Sequence, residues 1–164
     1  MEQREIDADL LIIGGGSAGC MSAIRALELK PDLKVVFFEK GDIKYSGSIA
    51  RGMDALNIVA IPNFTSPELY LEAISLSCRG VVDLAPSYRM AARSYELLQK
   101  LQRWGVNFPL DKNGRFRTLK YHVKGEFQTA MEEPDLKVII SKKAQERGAR
   151  ALNRIMGIDV LLDN

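Results

Sequence analysis

Two cysteines, one histidine and one tryptophan are all that 164 residues contain of those types. Cys20 and Cys78 lie far apart and form no CxxC spacing, so neither a zinc site nor a disulfide framework is indicated. Cys20, on the first helix, reads as a buried reduced thiol. The single histidine, His122, has no second histidine or acidic cluster beside it, which leaves a metal centre without support. As a general base it lacks a partner visible in the sequence and reads as a surface or interface residue. No apolar run approaches the roughly 20 residues of a membrane span. The first residues, Met1-Glu2-Gln3-Arg4-Glu5, lack the basic and apolar regions of a signal peptide, so the expected compartment is the cytoplasm. Charge of one sign is also missing: 23 basic against 21 acidic residues give a net charge of +2. That balance argues against nucleic acid or an anionic membrane as partner. Internal repeats and low-complexity segments are absent.

What is present is concentrated between Asp7 and Glu39. A short apolar run, Leu10-Leu11-Ile12-Ile13, meets Gly14-Gly15-Gly16-Ser17-Ala18-Gly19, then a helix of small residues, then Val35-Val36-Phe37-Phe38-Glu39. This order predicts a buried parallel strand that turns sharply into a helix and returns to a second strand. Such a turn binds phosphate. Gly14 permits the tight turn, Gly16 lets a pyrophosphate approach the backbone, and Gly19 lets helix and strand pack closely. The N-H groups at the helix start, from Ser17 and Ala18 onward, face the anion. Glu39 ends the second strand about 20 residues beyond the glycines, where an acid accepts hydrogen bonds from a ribose diol. An acid there disfavours a 2′-phosphate, so FAD or NAD is expected rather than NADP.

Residues 40–57 are small and polar with three glycines, far longer than the usual connection of about 4 to 6 residues. Such loops are often functional, and Ser46, Gly47 and Ser48 offer donors to the same pyrophosphate or to what extends from it. Ser66-Pro67-Glu68 is a helix start, and that helix is expected to reach about Arg79 before Gly80. A second helix is expected from about Leu84 to Trp104, with Tyr88, Ala91, Tyr95, Leu98 and Leu101 as a packing stripe and Trp104 as a packing residue. Asp111-Lys112-Asn113-Gly114 predicts a hairpin within 108–121. A third helix is expected over about 133–147, stopped by Gly148. Residues 153–163 read as a further strand of the first sheet. The fold class is therefore α/β, a Rossmann-like parallel sheet with a helical and hairpin insertion at about 58–132, the whole of 1–164 forming one nucleotide-binding domain.

The run 9–19 with Phe37-Phe38-Glu39-Lys40 resembles the FAD domain of the fumarate reductase and succinate dehydrogenase flavoprotein superfamily. The segment Ser46-Gly47-Ser48-Ile49-Ala50-Arg51-Gly52-Met53-Asp54-Ala55-Leu56-Asn57 is most similar to adenylylsulfate reductase alpha subunits. Pro31 to Val35, Trp104-Gly105, Gly125-Glu126, Asn153-Arg154 and Leu161-Leu162-Asp163 keep the same order, so the resemblance covers nearly the whole chain. It implies that Gly14, Gly16, Ser17, Ala18 and Gly19 hold the FAD pyrophosphate and Glu39 and Lys40 the adenosine ribose side. Ser46, Gly47 and Ser48 would hold the middle of the cofactor, and Asn57 would lie near the reactive edge of the flavin. It further implies two-electron exchange with a small anionic substrate and an iron-sulfur partner subunit. The histidine that attaches flavin covalently in the succinate dehydrogenase branch is replaced by Gly47, so FAD is expected to be non-covalent. Arg51 stands where the family usually has glutamine, and Lys124 precedes Gly125-Glu126 where adenylylsulfate reductases tend to have histidine. The resemblance also implies a full flavoprotein subunit that continues past Asn164, with the substrate-binding arginine and histidine beyond it. The alternative reading is a noncatalytic FAD- or NAD-binding module, or a truncated, inactive fragment. A weaker third is an NAD-dependent dehydrogenase domain.

Overall fold

A computed structural model describes residues 5–59, 61–120 and 122–162. The chain divides into two compact units, one made of Met1–Gly52 with Asp135–Asn164 and the other of Met53–Pro134.

The first unit is a three-stranded parallel sheet with two helices. Strand β1 (Leu10–Ile13) leads into α1 (Ser17–Leu29), which returns to β2 (Val35–Glu39). Much later in sequence, α4 (Leu136–Glu146) leads into β6 (Arg150–Asn153). The sheet order is β1-β2-β6, with Leu10 opposite Val35 and Val36 opposite Arg150. Burial of Val35, Val36 and Phe37 follows from the central place of β2, which has neighbours on both edges. On α1, Cys20, Ala23, Ile24 and Leu27 recur at helical spacing and are buried. Burying Ile24 and Leu27 contributes roughly 1.5 to 3 kcal/mol each. Helix α4 packs beside α1 and against a 3-10 turn at Ser48–Arg51.

The second unit pairs two helices with a small antiparallel sheet. Strand β3 (Ala55–Asn57) lies beside β5 (Gln128–Ala130), which in turn pairs with β4 (Thr118–Leu119). Ser66 caps α2 (Pro67–Ser77) through a hydrogen bond from the Leu69 N-H, and Asp83 caps α3 (Leu84–Arg103). The core gathers Val59, Tyr70, Ala73, Ala91 and Phe127. Buried Ser94 fills a polar gap there, accepting from the Val59 N-H at 2.7 Å and donating to the Ala91 carbonyl at 2.8 Å.

Three sequence expectations need correction. Residues 154–162 do not extend the sheet: the strand is Arg150–Asn153, and Ile158, Val160, Leu161 and Leu162 after it are exposed and irregular. The turn is made at Arg154, whose φ of 59° is left-handed and whose N-H bonds the Gly41 carbonyl. Asp163 and Asn164 lie outside the described residues. The hairpin tip exists, with the Asp111 N-H on the Arg115 carbonyl at 2.7 Å and Leu110 bridged to Phe116. Its return strand β4, however, pairs with β5 instead of with the preceding run, and Tyr121 at its end is outside the described residues. Tyr88 is not part of the packing stripe. It is exposed, and its hydroxyl donates to Glu68.

Candidate functional site

The turn between β1 and α1 is shaped by what its glycines leave empty. Gly14 has φ of 96°, open to glycine at no steric cost. A Cβ on Gly19 would stand 2.2 Å from the Gly14 carbonyl oxygen, so the helix can approach the strand only without one. Gly16 is different: a Cβ there would meet only the Gly47 Cα, at 3.8 Å. Its φ of −63° and ψ of −174° suit any residue, so Gly16 is not required by the fold. No side chain caps α1, and no acid sits in its first turn, which leaves the start of a 13-residue helix favourable to an anion.

Glu39 lies beneath this turn and is almost fully buried, at 4% exposure. Its Oε2 accepts the Gly15 N-H at 2.7 Å and its Oε1 the Gly41 N-H at 2.8 Å. Burial pushes the carboxyl up. The amides of Gly41 and Gly15, the Ser46 hydroxyl dipole and the Lys137 charge outweigh that and hold it below the usual range. Each carboxylate oxygen keeps a second lone pair. Ser46 Oγ is itself buried and lies near Glu39, yet its geometry gives it no hydrogen-bond partner in the protein. Such an orphan calls for an explanation, and a bound group that it could donate to is one.

Gly47, with φ of 86°, packs directly on the turn: a Cβ there would stand 3.1 Å from the Gly16 Cα. Beside it opens a concavity of about 600 Å³ lined by Tyr45, Gly47, Ser48, Ala50 and Arg51. The structure thus brings Gly14, Gly16, Ser17, Ala18, Gly19, Glu39, Ser46, Gly47 and Ser48 into one unit, with Lys40 exposed just after Glu39. Asn57 ends β3 in the second unit, exposed and paired in register with Gln128. A second cleft of about 600 Å³, lined by Phe64, Tyr95 and Phe116 among others, contains none of the expected site residues. Among the described residues, no group of three or more His, Cys, Asp or Glu is placed to hold a metal. His122 packs its ring edgewise on Phe127, centroids 5.5 Å apart.

Three participants were not legible in the motif. Gly15 gives its N-H to Glu39 and its carbonyl to the Cys20 thiol, at 3.2 Å. Asn153 Oδ1 accepts the Ile43 N-H at 3.0 Å. Lys137, fully buried, donates to the Ile43 carbonyl and to Cys20 Sγ. Only the glycine beside the motif positions gave any signal; the other two depend on partners more than 90 residues away.

The FAD binding domain family matches residues 9–130. The chain belongs to the FAD binding domain family. This FAD binding domain is 23% identical to the adenylylsulfate reductase subunit alpha of Megalodesulfovibrio gigas, over 97% of this chain and 27% of that protein. The adenylylsulfate reductase structure of Archaeoglobus fulgidus superposes with a TM-score of 0.78 at 24% identity, covering 91% of this chain and 24% of the other. A quinol-fumarate reductase superposes with a TM-score of 0.80 at 16% identity, covering 96% and 28%. The chain therefore spans about a quarter of the length of these relatives. The parallel sheet with its helices is the fold they share, and FAD is the cofactor of the family. The residues fit such a group, because the start of α1 is uncapped beside a turn of glycines and Ser46 Oγ is buried without a hydrogen-bond partner in the protein. Among the described residues, no helix is long and apolar enough to cross a membrane.

Proposed function

We propose that this chain is the FAD-binding part of a cytoplasmic flavoprotein oxidoreductase that exchanges two electrons with a small anionic substrate and works with an iron-sulfur subunit. Similarity to an adenylylsulfate reductase alpha subunit and to fumarate reductase supports the reaction class. The observation that carries the cofactor site is the uncapped start of α1 at the glycine turn, where Gly16 and Gly47 pack against each other with no side chain between them. Gly14, Gly16 and Gly19 shape the turn there, and the N-H groups from Ser17 and Ala18 receive the pyrophosphate. Glu39, ionised and fixed by two amides, offers its remaining lone pairs to the ribose, with Lys40 beside it. Ser46, Gly47 and Ser48 line the middle of the cofactor. The role of Asn57 at the flavin edge rests on the family motif alone. When bound, the flavin supplies the two-electron chemistry, and the protein supplies binding and orientation.

Titration of the protein with FAD, followed by flavin fluorescence, tests this reading through Gly16→Val. The backbone at Gly16 accepts valine, and the nearest atom to its Cβ would be 3.8 Å away, so the variant is expected to fold. Its side chain stands on the turn that is to receive the pyrophosphate, and affinity is expected to fall at least about tenfold, one decade being 1.4 kcal/mol. Wild-type affinity in a folded Gly16→Val protein would make the glycine turn purely structural.

A further inference from the structure

Glu39 and Lys137 are the only two charged side chains buried among the described residues. Lys137 is a costly residue in its position. An ammonium loses several kcal/mol on burial unless it is well paired, and this one sits in the first turn of α4, the end of a helix that disfavours a cation. It is not a packing residue by chemistry, since methionine would fill the same space. Its hydrogen bonds go to the Ile43 carbonyl and, at 3.7 Å, to Cys20 Sγ. The Cys20 thiol does not supply the counter-charge, because burial pushes it up in spite of Lys137 and keeps it neutral. The Lys137 charge also acts on the buried Glu39 carboxylate, less than the Gly41 and Gly15 amides and Ser46 do.

The same contacts lock the loop that follows Glu39. Ile43 has its carbonyl held by Lys137 and its N-H held by Asn153. Its side chain lies against Gly15, whose missing Cβ would fall 2.6 Å from Ile43 Cγ1. Gly15 in turn is tied to Glu39 through its N-H and to Cys20 through its carbonyl. Lys137 thus reaches both walls of the site, one through Ile43 and one through Cys20.

We propose that Lys137 is a positioning residue for the cofactor: through the Ile43 carbonyl it fixes residues 40–47 against Gly16, and through Cys20 it braces the glycine turn above Glu39. This rests on the reading of the Gly16–Gly47 approach as the FAD site. The groups facing Lys137 are Cys20 from α1 and Glu39 from β2, and the 3-10 turn that packs on α4 carries the exposed Arg51. Glu28 on α1 is paired with Arg25 and Arg147. Across the acid range only Glu39 of the buried groups changes charge.

The test compares wild type, Lys137→Met, Glu39→Gln and the double variant, by FAD affinity and by the pH dependence of thermal stability without FAD. Lys137→Met is expected to weaken FAD about tenfold, one decade being 1.4 kcal/mol, and to move the acid loss of stability to higher pH. In the Glu39→Gln background the same substitution should no longer move the acid limb, because that charge is gone, but should still weaken FAD, because the Lys137 contact with the Ile43 carbonyl does not depend on it. Wild-type affinity and an unmoved acid limb in Lys137→Met would overturn the proposal. If Lys137→Met does not fold, the double variant decides: a further loss of affinity beyond Glu39→Gln alone supports it, and affinity equal to Glu39→Gln alone overturns it. Failure of wild-type protein to bind FAD, with the acid shift intact, would sink the cofactor role while leaving the coupling between the two charges in place.

Discussion

The Cβ that Gly15 lacks would stand 2.6 Å from Cγ1 of Ile43 and 3.2 Å from Oε2 of Glu39. Neither neighbour can yield cheaply. Ile43 is clamped at both backbone groups by Asn153 and Lys137, and Glu39 holds amides with both oxygens. Gly15→Ala is therefore an overpacking change, expected to destabilise by about 1 to 3 kcal/mol. Ile43→Ala removes the closer atom, so the double variant should be less destabilised than the two single effects added together. Urea denaturation of the four proteins measures this. Simple additivity would show that the two residues do not press on one another.

Acid should act on the same place. The Glu39 carboxyl titrates below its ordinary value of 4.5 in the folded protein, because the Gly41 and Gly15 amides, Ser46 and Lys137 together outweigh burial. A depressed folded value means that the unfolded chain takes up the proton first, so the contribution is complete above the ordinary carboxylate range and disappears as pH falls below 4.5. Exposed Asp7, Asp111 and Glu146 are also held low and add a background of their own. Subtraction isolates Glu39. Thermal midpoints of wild type and Glu39→Gln should differ most near neutral pH and converge toward pH 3, an interval set by the roughly 4.3 of an unperturbed glutamate. Parallel curves over that interval would refute the assignment.

The strand, glycine turn, helix and second strand of residues 10–39 were legible because each is decided locally, by an apolar run, by glycine and by helical spacing. The last strand was not. Arg150-Ala151-Leu152-Asn153 has only two apolar residues between polar ends, whereas Val160-Leu161-Leu162 looks more strand-like and is exposed. What selects the former is its pairing with β2 and the Asn153 bond to Ile43, a partner 110 residues away. Lys137 was hidden for a related reason. A lysine on an amphipathic helix reads as solvated, and its main acceptor is a backbone carbonyl, which carries no side-chain signature. Glu39 was assigned from the motif as a ribose acceptor, but its grip on the glycine turn itself could be seen only in three dimensions.

That FAD is held without a covalent link is a third prediction. Gly47, which the sequence resemblance matches to the attaching histidine of the succinate dehydrogenase branch, has no side chain to offer. The sole histidine, His122, belongs to the second unit and is packed against Tyr70 and Phe127. Protein loaded with FAD and precipitated in acid should release its yellow colour to the supernatant. Colour that stays with the washed pellet would contradict this.

Ser46 separates a binding role from a folding role most sharply. Its Oγ is buried without a hydrogen-bond partner in the protein, although its dipole helps to hold the Glu39 carboxyl down. A buried hydroxyl left unsatisfied costs about 1 to 3 kcal/mol. Ser46→Ala removes that penalty together with a small electrostatic benefit, so the protein without FAD should melt at the same temperature or slightly higher. An increase of 1 kcal/mol in stability corresponds to roughly 2 to 4 °C for a chain of this size. With FAD the sign should reverse, because the hydroxyl then has a partner, and losing one hydrogen bond of about 1 kcal/mol weakens affinity several-fold. Melting curves with and without saturating FAD read both effects from one sample. A lowered melting temperature in the absence of FAD with unchanged affinity would assign Ser46 to the fold and remove it from the site.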